Sequence, residues 1–322
     1  MSSDAYKYTI ETWVSDLELM HHYTSVTWQT LGGSDRAHNV MRTDIPRLAV
    51  HYPYLLHQIL AVSAFHLAYL QPESRHAYSA KAAQHQALGL AGLREALSDN
   101  LTERSNYALF AASSFLIPTT FASRLKNDDS PDPAAPLIAI LDVFAILRGT
   151  IAIDMVAAEK RHRVPSDDFY DSAPVNLNDP FLLPSMRTRL HDLRSKIYAS
   201  PQSEPDELTS IMDQGILCLL DCTETIPGPN LFSTPEQRIL HFWPMIVGDS
   251  FMDLIRRRSP PALVVFSYYC VVLRLAEEDS WYLDGWTDAL TGSVAALLQG
   301  SPWAADAEWS MERIRAGQEQ KG

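Results

Sequence analysis

The stretch from Tyr52 to Leu70, YPYLLHQILAVSAFHLAYL, limits the fold more than any other part of the chain. Leu55, Leu56, Ile59, Leu60, Val62, Ala64, Phe65, Leu67 and Ala68 place apolar side chains around nearly the whole circumference of a helix, so the segment cannot rest on a surface with one face in water. Pro53 suits a first helical turn, where its missing N–H has no intrahelical partner, and Pro72 disfavours helical geometry at Gln71. At 1.5 Å per residue such a rod is about 28 Å long, enough to cross a small domain. A central helix is therefore predicted, with the other elements arranged around it. His57 and His66 are its exceptions. Nine residues apart, they point about 180° away from each other, so they cannot share one ligand and are expected to be satisfied separately.

The rest of the chain reads as further helices. Trp13 to Leu31 has helical spacing, and Gly32, Gly33, Ser34 and Asp35 break it after a loose tail over residues 1–12. Val40 to Val50 is a short apolar element interrupted by Pro46, and Ser74 to Leu97 is amphipathic. Thr102 and Glu103 suit a helix start, and that helix is expected to run to about Phe121. Lys126 to Pro136 reads as a flexible link and the proline-rich Val164 to Pro184 as a long irregular one, a lid or a connector. Between them, Leu137 to Ala158 imitates a membrane span but carries Asp142, Arg148 and Asp154. Central charges cost roughly 2.5 to 3.5 kcal/mol each on the insertion scale, so a buried soluble helix is expected there and no membrane span. The cations Lys160, Arg161, His162 and Arg163 suit the negative end of that helix dipole, with a nuclear-import patch as the alternative.

Helices are predicted over Ser185–Tyr198, Glu204–Thr223, Thr234–Arg258 with a kink or early break at Trp243-Pro244, Trp281–Leu298 and Trp303–Ile314. Ala262 to Ala276 is apolar on most sides and makes a second central helix. No segment alternates like a strand. The fold class is all-α, an irregular bundle of about ten helices forming a single domain over residues 13–322.

The net charge of -13 argues against a nucleic-acid-binding face, which would neutralise phosphates with clustered Lys and Arg. Three cysteines with no preceding signal peptide point to a reducing intracellular compartment, nucleus or cytoplasm. Phosphate-binding, dinucleotide-binding, zinc-protease and nucleophile-elbow motifs are missing, and no cofactor is expected. No metal is expected either: His21 and His22 diverge by about 100°, and Cys218 and Cys222 have no evident further ligands, so they read as small buried hydrophobes.

Asp142, Arg148 and Asp154 are spaced six and six apart, which divides the helix circumference into thirds. No single solvent stripe holds all three. One of them is expected to point inward, either as an internal ion pair that fixes helix register or as the polar end of a ligand pocket. Trp243, Trp281, Trp286, Trp303 and Trp309 crowd the last eighty residues, as pocket lining for a flat hydrophobic molecule or as packing anchors. Asp142, Arg148, Asp154, Trp243, Tyr268 and Tyr269 are the candidate ligand-binding residues, chosen by helix position.

The run VMRTDIPRLAVHYPYLLHQILAVSAFHLAYL, with Tyr78, Ala82, His85 and Ala87-Leu88 after it, resembles the C-terminal regulatory domain of fungal binuclear-zinc-cluster transcription factors of the sterol uptake control type. FWPMIVGDSFMDLIRRRSPPALVVFSYYCVVL, WYLDGW and SPW resemble the same domain's second half. The resemblance covers roughly residues 15–315 and implies an all-helical ligand-binding module with a hydrophobic pocket; a regulatory domain for an apolar small molecule such as a sterol or terpenoid is the first expectation, with a homodimer expected alongside it. It fixes no residue's chemical role. The family's six-cysteine cluster is missing here, so an excised regulatory domain and a free-standing relative both fit. The second invites an enzyme of secondary metabolism, a cyclase, isomerase or Diels–Alderase that works by orienting its substrate.

Overall fold

The computed structural model describes residues 10–31, 35–98, 103–124, 132–159, 182–199, 207–224 and 234–319. Among them all regular secondary structure is helical, as the sequence predicts. The helices are α1 (Ile10–Ser25), α2 (Asp35–Asn39), α3 (Ile45–Ala49), α4 (Pro53–Leu70), α5 (Arg75–Ser98), α6 (Glu103–Arg124), α7 (Ala135–Glu159), α8 (Leu182–Ala199), α9 (Glu207–Glu224), α10 (Pro235–Ile246), α11 (Asp249–Arg256), α12 (Pro260–Glu278), α13 (Trp286–Leu298) and α14 (Glu308–Glu319). Lys160, Arg161, His162, Arg163 and most of the two expected links lie outside the described residues.

Several boundaries differ from the reading above for local reasons. The first helix stops at Ser25 and passes into a 3-10 turn at Thr27–Thr30, because Val26 leaves helical geometry at φ -134. Pro46 does not interrupt its segment. It stands in the first turn of α3, where no N–H is needed, after a π-helical turn at Val40–Asp44. Gly285 adopts φ +85, a left-handed conformation that glycine takes without steric cost, and this splits the expected Trp281–Leu298 helix into a 3-10 turn and α13.

Two compact units emerge, one of residues up to 119 with 153–162, the other of residues 120–152 with those from 163 onward. In the first, α4 is the buried rod, with Leu55, Ile59, Ala61, Val62 and Ala64 fully enclosed. Small residues let α5 come close. A Cβ on Gly89 would stand 2.7 Å from Nε2 of Gln58, and one on Gly92 would stand 3.1 Å from Cβ of Tyr54. On the other side Ser63 donates to the carbonyl of Leu19 in α1 at 2.6 Å.

The second unit is built on α12, whose residues from Ala262 to Leu273 are all buried. By length and composition α12 is apolar enough to cross a membrane, yet 72% of its most apolar window is buried in the fold. Trp243 of α10 is the centre of an aromatic cluster, with ring centroids 4.8 Å from Tyr269, 5.7 Å from Phe251, 6.4 Å from Phe144 and 6.5 Å from Phe266. Its indole N–H donates to the carbonyl of Gly215 at 3.2 Å. Gly215 must be glycine for space, since a Cβ there would overlap the ring of Phe251.

Candidate functional site

Helix α10 begins with a reciprocal cap. Thr234 accepts from the backbone N–H of Gln237 at 3.2 Å, and the Gln237 side-chain oxygen accepts from the N–H of Thr234 at 2.9 Å. The Gln237 amide then donates to Ser280 at 2.7 Å and to Tyr282 at 3.1 Å, which holds the start of α10 against the turn after α12. Further along, Pro244 has no N–H to bond the carbonyl of Leu240, four residues back. The Tyr269 hydroxyl donates to that carbonyl instead, at 2.9 Å. Helix α10 thus stays helical through its proline and ends two residues later.

One face of α10 is left with polar atoms that meet no partner. His241, one turn beyond Gln237, has a fully buried Nε2 with no hydrogen bond, and Nε of Arg238, three residues before it, is likewise buried and unpartnered. Residues three apart on a helix are neighbours, with Cβ atoms about 5 to 6 Å apart. The imidazole faces Phe121 of α6 at 6.3 Å between ring centroids. Tyr282 at 6.3 Å and Trp286 at 5.7 Å enclose the same Phe121 ring. The Phe121 carbonyl belongs to the last turn of α6, where carbonyls lack intrahelical partners, and it accepts from the Trp286 indole at 3.1 Å. Burial pushes the His241 imidazolium down to about 4, so the ring is neutral near pH 7. Burial also lowers Arg238, with Glu236 opposing.

The first unit treats its histidines differently. His85 directs Nε2 to the Asp16 carboxylate at 3.3 Å, and its Nδ1 lies 3.1 Å from Nδ1 of His57. A carboxylate accepts, so the consistent assignment has His85 donating through Nε2 and accepting from His57 at Nδ1. His66 meets Thr27 at 3.1 Å and His22 at 3.3 Å. The expectation that His57 and His66 are satisfied separately is met, one toward α5 and one toward α1. Burial pulls His66 down to about 4 with His22 adding to it, and burial with Lys81 takes His85 to about 4. Among the described residues no group of three His, Cys, Asp or Glu side chains could hold a metal ion.

The sequence-chosen residues fall in three places. Trp243 and Tyr269 meet in the aromatic cluster, their polar atoms occupied by backbone carbonyls. Tyr268, next on the helix but turned away, stacks on Trp309 at 5.5 Å. Asp142 is exposed, and Arg148 pairs with the highly exposed Asp249 at 2.7 Å. The Asp154 side chain lies outside the described residues. Arg238, His241 and Phe121 were not singled out. The only trace of His241 in the sequence is a histidine set into the apolar run Ile239-Leu240-His241-Phe242-Trp243.

Residues 18–124 match the fungal specific transcription factor domain. Beyond it, most of the chain is similar to curated fungal proteins. It is 24% identical to a Zn(2)-C6 fungal-type transcription factor of Gibberella zeae over 91% of this chain and 60% of that protein. It is 37% identical to Sterol uptake control protein 2 of Candida albicans over 89% of this chain and 41% of that protein. Sterol uptake control protein 2 of Saccharomyces cerevisiae is 25% identical over 87% of this chain and 30% of its own length. The chain thus spans between 30% and 60% of the length of these relatives. The resemblance drawn from the two sequence runs is borne out.

Proposed function

We propose that the chain is the ligand-sensing part of a fungal transcription regulator, and that it binds an apolar small molecule of sterol or terpenoid type, acting in the nucleus. The observation that carries this reading is the face of α10, where His241 brings an unpartnered nitrogen beside the Phe121 ring and Arg238, three residues before it, keeps another. Native proteins pair almost all buried polar groups, and a pair left open beside flat apolar surface is what a binding site for a largely hydrophobic molecule with one polar end requires. The similarity to two proteins named for sterol uptake control supports the same class of ligand.

The experiment is titration of the purified chain with dehydroergosterol, an intrinsically fluorescent sterol, read by energy transfer from tryptophan. Saturable transfer that unlabelled ergosterol displaces is the expected result. Absence of saturable transfer from protein with helical circular dichroism and a cooperative melt would overturn the reading.

A further inference from the structure

We infer that Arg238 and His241 form the polar end of that site, and that the group they recognise is a hydroxyl on the ligand. The inference rests on the proposed ligand-sensing role and adds the chemistry and the residues.

Each candidate group fits differently. The Arg238 Nε–H can only donate, so the ligand atom must accept. A neutral imidazole nitrogen is either an N–H donor or a lone-pair acceptor, depending on the tautomer. A hydroxyl oxygen meets both cases, since it accepts from Arg238 and either accepts from or donates to Nε2. A carboxylate or an ester carbonyl meets only one. Burial around His241 also penalises a ligand that brings its own charge to the imidazole, because a charge in a poorly solvated place costs far more than a neutral hydrogen-bonding group. The adjacent polar side chains are already engaged. Gln237 uses both ends of its amide on Thr234, Ser280 and Tyr282.

A structural histidine would instead be needed for folding. His241 has no hydrogen bond at Nε2 to lose, so replacing it with leucine removes an unsatisfied polar atom without leaving another behind. This separates two roles that otherwise look alike.

The test uses the full chain with His241→Leu, Arg238→Met and, as a gentler second change, His241→Gln. Each variant is melted without ligand and titrated with dehydroergosterol, dehydroergosteryl 3-acetate and cholesteryl hemisuccinate. The expected result is an unliganded Tm for His241→Leu equal to or above that of the parent. Dehydroergosterol affinity should fall about tenfold in each leucine or methionine variant, the equivalent of about 1.4 kcal/mol, and less in His241→Gln. The acetate should bind the parent as weakly as dehydroergosterol binds the variants. A His241→Leu Tm several degrees below the parent overturns the inference whether or not a sterol binds, because the imidazole is then structural. Parent-like dehydroergosterol affinity in both Arg238→Met and His241→Gln overturns it too, and a preference for the hemisuccinate replaces the hydroxyl by a carboxylate. A parent that binds none of the three sterols overturns the ligand-sensing reading itself, while the melts still decide whether His241 is structural.

Discussion

The two units handle buried histidines in contrasting ways, while Gln58 and Asn106 in the first unit also keep side-chain atoms without a partner. Around α4, His57 and His85 form a chain to Asp16, and His66 bonds Thr27, so polarity in that core fixes how α1, α4 and α5 meet. Around α10, the carbonyl freed by Pro244 is answered by Tyr269, and the end of α6 by Trp286, yet Arg238 and His241 keep nitrogens with no partner. A buried polar group with a protein partner raises specificity of packing. One without it costs stability.

The contrast can be broken most severely at the aromatic cluster. Trp243→Ala removes the ring that touches Phe144, Phe251, Phe266 and Tyr269, and should cost about 3 to 5 kcal/mol in urea unfolding. A loss under about 1 kcal/mol would mean the second unit's core does not depend on it.

Acid should weaken both units next, because burial holds His66 and His85 in the first and His241 in the second near 4. The folded-state values of His66 and His85 lie near 4, below the ordinary 6.5, so the unfolded chain binds more protons between these values and stability falls as pH drops through that window. Each contributes on the order of 3 kcal/mol at pH 7 that is gone below pH 4. Unfolding midpoints at pH 7.5 and pH 5 should differ in the parent and differ less in His85→Phe, and equal slopes would remove the histidines from the account.

Tyr269→Phe strips the donor from the Leu240 carbonyl and leaves it buried beside Pro244, at a cost of about 1 to 3 kcal/mol by denaturant titration. An unchanged midpoint would show that the proline break in α10 needs no help. The smallest effect belongs to Arg148→Ala. Its partner Asp249 is 90% exposed, so the pair should contribute between about 0 and 1 kcal/mol and weaken with salt. A larger loss would restore the inward-pointing charge that the six-residue spacing suggests.

Helix content was legible in the sequence because burial on every side of α4 and α12, and prolines at their first turns, leave few alternatives. Local geometry was less so. The π-helical turn at Val40–Asp44 and the left-handed Gly285 depend on what neighbouring elements demand of the backbone. The likeness to fungal transcription factors was readable too, from two runs of sequence.

The choice of site residues was not readable at this level. Periodicity reports which positions share a face of one helix, and it says nothing of what stands opposite. It could place Trp243 and Tyr269 in a core and separate His57 from His66 by half a turn. It could not tell that Tyr269 would be taken by a carbonyl freed by Pro244, that Arg148 would reach a surface aspartate a hundred residues on, or that His241 would face Phe121 with its nitrogen unanswered. Sequence determined the helices and their buried faces, since these follow from residues a few positions apart. Which polar atoms find partners was decided only by the tertiary structure, because hydrogen bonds reach about 3 Å and their partners come from distant parts of the chain.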